Sequence, residues 1–303
     1  MQKFIIILAL ITISCKGETE KTNSTEKYTP KIITTSEFEL IKAENQKGLL
    51  ILFPCFPCDA KNTLNEFKIS EISVNNGFSV LAMNLNELLY LKPKEKQELA
   101  EQLTKIVSEH NLPKKNIFVG GFSSGGNVSL TISDYLINNK SQIQPKGVFI
   151  VDSPIDLLGL YRTAEKKLKL NFSKPSVTES KWIKEMLDNE FGNPENGINN
   201  YELNSPFTLE TQNIENLRGL KNLKIRFYTE PDLKWWNEHA KNDYKDLNAF
   251  YIQKLSNQLK VEFGKDNIEL IKTENQGYRA NGERHPHSWS IVNEKDLVNW
   301  MTE

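Results

Sequence analysis

The sequence predicts an α/β fold in which a mostly parallel sheet is covered by helices on both faces. Short, continuous apolar runs recur along the chain, as strands buried on both faces require. Stretches with apolar residues at helical spacing fall between them, and this alternation builds parallel sheets through crossover helices. No internal repeat offers a competing architecture.

Taken in order, Ile32 to Thr35 and Phe38 to Lys42 suggest an opening hairpin. Gly48 to Phe53 and Phe78 to Met83 are unbroken apolar runs. Lys94 to His110 places Leu99, Leu103, Ile106 and Val107 on one helical face, and Asn111-Leu112-Pro113 stops it. Ile117 to Val119 is the next strand, and Gly126 to Asn138 reads as a helix packed on both sides. Val148 to Val151, Ile225 to Tyr228 and Ile268 to Ile271 complete the strands, with helices at Phe250 to Val261 and Glu294 to Met301. The stretch from Asp152 to Asn222 is far longer than one crossover helix needs. It is either an extended crossover with a surface loop or a cap over a site, inserted between strands six and seven.

Charge excludes some functions. The 38 basic and 39 acidic residues are scattered, so no basic stripe predicts a nucleic-acid partner and no acidic tail a cationic one. With 38% hydrophobic residues, most of the chain should fold. The N-terminus differs from the rest. Lys3 precedes an apolar run from Phe4 to Ile13, broken only by Thr12, which is too short for a spanning helix of about 20 residues. It suits the apolar region of a secretory signal peptide. The Ser14-Cys15 pair that follows resembles a bacterial lipoprotein cleavage site, although Thr12 stands where Leu or Val is usual. The resemblance implies that Cys15 becomes the lipidated first residue. Lys16 to Lys31 is rich in Lys, Glu, Thr and Ser and too polar to repay the entropy of ordering. The expected organisation is a signal peptide over 1–14, a flexible tether over 15–31 and a folded domain over 32–303. That domain would be held at the cell envelope, facing the periplasm or the cell surface, with the membrane as a partner through the lipid.

The most informative motif is Gly121-Phe122-Ser123-Ser124-Gly125-Gly126, which follows the Asn116 to Gly120 strand and opens a helix. A Gly-x-Ser-x-Gly turn in that setting is so tight that side chains two residues either side of the serine would collide. It lifts Ser123 clear of the sheet and aims the Ser124 N–H at a developing oxyanion. On these residues the chain, from about Phe38 onward, resembles the α/β-hydrolase family. The resemblance implies a covalent acyl-serine mechanism and the chain order nucleophile, acid, histidine.

The four histidines narrow the choice of base. His110 precedes the nucleophile strand, and His239 lies in polar helical sequence. His285 and His287 follow the last strand, where the family carries its base, and His287 is preferred because it lies closer to the following helix. The family's acid is expected after the strand ending at Thr229, in Glu230-Pro231-Asp232. Asp232 fits better and Glu230 competes. Trp235 and Trp236 behind them read as packing residues before substrate platforms. The second oxyanion donor belongs to the Phe53 to Asp59 loop. The family often has His-Gly where this chain has Pro54-Cys55, and the N–H of Phe56 is the best remaining donor because Pro57 has none.

Of three cysteines, Cys55 and Cys58 remain as a C-x-x-C pair after Cys15. Outside the cytoplasm a local disulfide is expected. A thioredoxin-like redox role is the rival from another class, weakened because no helix is evident after Cys58. A hydrolase fold that binds without reacting is a further alternative. No metal site and no organic cofactor are implied. The expected activity is hydrolysis of an acyl bond, with a carboxylic ester of a small molecule as the default substrate.

Overall fold

The computed structural model describes residues 31–85 and 88–303. The signal-peptide, tether and Cys15 expectations therefore lie outside the described residues. Among the described residues eight strands form one sheet. They are β1 (Ile32–Thr34), β2 (Phe38–Ile41), β3 (Gly48–Phe53), β4 (Phe78–Met83), β5 (Ile117–Phe122), β6 (Pro145–Val151), β7 (Lys224–Thr229) and β8 (Ile268–Lys272). Their order across the sheet is β1-β2-β4-β3-β5-β6-β7-β8. The first two pair antiparallel, as the opening hairpin predicts, and β3 to β8 run parallel.

Every residue of β3, β4 and β5 is buried, which is why these strands are continuous apolar runs. Helices cover both faces. On one, Leu50, Leu52, Phe118 and Phe149 pack with Trp289, Leu297 and Trp300. On the other, Leu49, Ile51 and Val119 pack with Leu103, Ile106 and Val128. The helices α1 (Ala60–Glu66), α2 (Ser70–Asn75), α3 (Pro93–Glu109) and α4 (Ser124–Asn138) precede β6. The helix α1 corrects the sequence reading, since it begins two residues after Cys58. Asp59 caps it by accepting the Asn62 N–H.

The long segment between β6 and β7 folds into α5 (Leu157–Leu170), α6 (Lys174–Phe191), α7 (Asn199–Asn204) and 3-10 turns. Leu157, Leu158, Tyr161, Leu187 and Tyr201 form a separate apolar cluster there with Leu89 and Tyr90. After β7 come α8 (Leu233–Ala240) and α9 (Asn248–Glu262), and α10 (Glu294–Thr302) closes the chain. No helix among the described residues is long and apolar enough to cross a membrane.

Candidate active site

Ser123 sits between the end of β5 and the first turn of α4, with φ 53° and ψ −125°. This is a backbone region that non-glycine residues enter at a cost. The flanking glycines permit it. A Cβ on Gly121 would land on the Gly125 carbonyl, and one on Gly125 would land on the carbonyls of Phe53 and Pro54. The turn is pinned because the Ser123 N–H donates to Val151 O (2.9 Å) and the Gly126 N–H donates to Ser123 O (3.0 Å). Behind it, Asn127 of α4 is fully buried and donates its amide to Leu89 O (3.2 Å) and Pro154 O (3.0 Å).

His287 lies in the loop after β8. Its Nδ1 is 2.7 Å from Asp152 Oδ2, and its ring lies 4.4 Å from that of Phe122, centroid to centroid. Asp152 follows β6 directly and is buried, with φ 44°. Its N–H donates to Tyr228 O (2.9 Å), and Asn248 donates to its carbonyl (2.8 Å). A carboxylate can only accept, so in the neutral imidazole the bond puts the proton on Nδ1 and leaves Nε2 with its lone pair. Ser123, Asp152 and His287 line one cavity of roughly 200 Å³.

The carboxylate that meets His287 is thus neither Asp232 nor Glu230, the two to which the sequence pointed. Asp232 caps α8, accepting the Trp235 N–H (3.0 Å), and its other oxygen accepts from Arg284 (2.7 Å). Glu230 is 3% exposed and reaches the cavity wall, but its oxygens accept from Thr273 Oγ1 (2.9 Å), Gln276 N (2.9 Å), Gly277 N (3.1 Å) and Arg284 (2.7 Å). The reason is position. β6 lies beside the nucleophile strand β5, whereas β7 is one strand further away. The signal was present in Val151-Asp152, an acid at the very end of a predicted strand, which the sequence reading assigned to the start of the cap.

None of the other histidines bonds Asp152, although His285 Nδ1 lies 3.0 Å from the His287 carbonyl. His285 packs against Trp235 (4.8 Å between centroids). Burial, with the nearby Arg279 cation assisting, pushes its pKa down to about 4. His239 is exposed on α8 and stacks on Trp235 at 4.1 Å, while His110 caps α3 edge-on to Phe38.

Phe56 lines the cavity and stacks on Trp182 of α6, with centroids 4.5 Å apart. Cys55 and Cys58 on either side of it are joined by a disulfide, and the Cys58 N–H donates to Cys55 O (2.7 Å). Ser124 is the first residue of α4, so its N–H belongs to the free donors of a helix N-terminus. The segment between β6 and β7 forms one wall through Leu160 and Lys167 of α5 and Glu179 and Ile183 of α6. Trp236, expected to pack, also lines the cavity.

No protein-family model matches the sequence, and no curated protein matches it. Solved structures share its architecture. A carboxyl esterase from the mycorrhizal fungus Tuber melanosporum is 13% identical, covering 92% of this chain and 87% of its own, with a TM-score of 0.53. An inhibited esterase B from Lactobacillus rhamnosis is 14% identical over 88% of this chain and 81% of its own, with a TM-score of 0.52. A fungal esterase from Rhizomucor miehei is 13% identical over 90% and 82%, with a TM-score of 0.51. Likeness at these identities is likeness of fold. The chain has the α/β-hydrolase fold.

Proposed function

We propose that the protein is a serine hydrolase that cleaves an acyl bond, a carboxylic ester in the first instance, through a covalent acyl-serine intermediate. The observation that carries this reading is the 2.7 Å His287–Asp152 bond in the same cavity as Ser123 on its strained turn. His287 Nε2 takes the proton from Ser123 Oγ as that oxygen attacks the carbonyl carbon. The tetrahedral oxyanion is held by the N–H groups of Ser124 and Phe56. His287 then protonates the leaving alcohol, and water releases the acid by the same steps in reverse order. Asp152 keeps the imidazole in the correct tautomer and stabilises the imidazolium. The reaction calls on no metal or organic cofactor. Esterases among the solved structures of similar fold support the reaction class.

Ser123→Ala should abolish hydrolysis of 4-nitrophenyl butyrate while the thermal melt stays close to wild type. A fluorophosphonate should add once to the wild-type protein, on the Ser123 peptide, as read by mass spectrometry. Undiminished turnover in the variant, or an adduct elsewhere, overturns the assignment. Phe56 lies between the bonded Cys55 and Cys58 and lines the cavity with Ser123, which supports the disulfide as a local brace for the oxyanion loop.

Export and lipidation at Cys15 belong to the same proposal and rest on the sequence of residues 1–31. The anchor would hold the enzyme at the bacterial cell envelope without embedding it. Expressed in a bacterium fed labelled palmitate, the protein should carry label in the membrane fraction, and Cys15→Ala should lose it. Equal labelling of both forms refutes the anchor.

A further inference from the structure

The wall of the cavity formed by α5, α6 and the loop after α8 carries polar groups that the reaction does not use. Cations of α5 and α6 mostly have carboxylate partners. Arg162 pairs with Glu195 and Glu210, Lys166 with Asp243 and Asp246, Lys181 with Glu185, and Lys184 with Asp188. Lys167 is different: it is half-buried, lines the cavity and has no side-chain partner among the described residues. Lys169 and Lys174 also lack one, but both are exposed and neither lines the cavity.

Asn242 is the second observation. It is 4% exposed and lines the same cavity, yet its side-chain amide has no partner among the described residues. An amide that faces a cavity without a protein partner keeps its donors and acceptor available to a ligand there. Both groups line the same cavity, and the elements that carry them are tied together. Lys166, next to Lys167 on α5, reaches Asp243 Oδ2 (2.9 Å) and Asp246 Oδ2 (2.6 Å), which ties α5 to the segment that opens with Asn242.

Opposing charges on this wall are largely engaged. Asp152 is held by His287, and Asp156 accepts the Gly159 and Leu209 N–H groups (both 2.8 Å). Glu230 is held by Arg284 and Asp246 by Lys166. Glu179, exposed on α6, remains without a partner.

We propose that Lys167 and Asn242 form a carboxylate subsite, so that the preferred substrate is an ester bearing an acidic group. This rests on the acyl-hydrolase reading of Ser123. An ammonium with three donors and an amide with two match the two oxygens of a carboxylate, and charge-assisted bonds of this kind are the stronger ones. Glu179 lines the same cavity and its charge opposes such a ligand.

The test compares kcat/KM for mono-4-nitrophenyl glutarate with 4-nitrophenyl pentanoate, and for 4-acetoxybenzoate with phenyl acetate. These pairs place the carboxylate on the acyl side and the alcohol side in turn. In at least one pair, Lys167→Met should lower the acidic-to-neutral ratio by about 10–100-fold, the size expected for a hydrogen bond to a charged group. Asn242→Ala should lower it less, Lys167→Arg should keep it, and Glu179→Gln should raise it. Calorimetry of glutarate binding to Ser123→Ala, with and without Lys167→Met, reads the subsite without turnover. Ser123-dependent hydrolysis with ratios and glutarate binding indifferent to Lys167 overturns the subsite and leaves the hydrolase standing. Lys167-dependent glutarate binding in a protein that hydrolyses no ester keeps the subsite and overturns the hydrolase.

Discussion

Strands β6 and β7 lie side by side and parallel, and each is followed at once by acidic residues that meet the loop after β8. At the end of β6, Asp152 meets His287. At the end of β7, Glu230 and Asp232 meet Arg284 and the backbone N–H groups of Gln276 and Gly277. Arg284 in turn donates to Gly277 O (2.7 Å). One strand end thus touches the imidazole itself, while its neighbour fixes the chain that carries the imidazole. Under the proposed mechanism, similar residue types at similar places divide into a chemical task and a structural one. The partner each carboxylate meets decides which.

The largest effect that sharpens this contrast is expected at Asp152. Asp152→Asn keeps the shape but presents a group that can favour the wrong imidazole tautomer. The loss of turnover should approach the roughly 10⁴-fold seen when an orienting carboxylate is so replaced in a Ser-His-Asp triad. The measurement is kcat on 4-nitrophenyl butyrate beside a denaturant melt, and the melt should move little. A variant retaining most of its turnover would remove Asp152 from the mechanism.

Glu230→Gln should behave in the opposite sense. The neutral amide keeps one acceptor oxygen of two, leaving Arg284 short of a charge and buried N–H groups short of acceptors. The expected cost is about 1–3 kcal/mol of stability, read from the urea midpoint. Activity should follow the fraction folded. A stable Glu230→Gln protein with turnover as low as Asp152→Asn would show that the β7 end carries the chemistry.

What the sequence made legible follows the range of the interactions involved. Gly48–Phe53 and Phe78–Met83 match their predicted bounds because full burial writes itself as an unbroken apolar run. The Ser123 turn was legible because its constraint is local, with Gly121 and Gly125 in contact with each other across it. The helices α5 and α6 were not, since their apolar residues answer to a cavity and to Leu89 and Tyr90, far away in the chain. The carboxylate that meets His287 was not legible for the same reason. The choice among Asp152, Glu230 and Asp232 depends on which strand lies next to β5, and on where Arg284 comes to rest. Neither is a property of the neighbouring residues. Family order pointed to the end of β7, whereas His287 meets Asp152 at the end of β6, and Ser123, Asp152 and His287 still follow one another in that order along the chain.

The smallest expected effect is the most discriminating, because it falls on the residue the sequence favoured. Asp232 is a helix cap: one oxygen takes the Trp235 N–H and the other takes Arg284. Arg284 retains Glu230 and Gly277 O when Asp232 is removed, so the histidine loop keeps most of its anchors. Asp232→Ala should then cost about 1 kcal/mol, the usual worth of an N-cap, and α8 should fray at its first turn. Hydrogen exchange at Trp235 and Trp236 would report the fraying directly. Ester turnover should remain far above that of Asp152→Asn, since no atom of Asp232 bonds His287. A loss near 10⁴-fold with the melt unmoved is the signature of an orienting acid. Found at Asp232 and not at Asp152, it would mean that His287 turns to the β7 end when substrate binds.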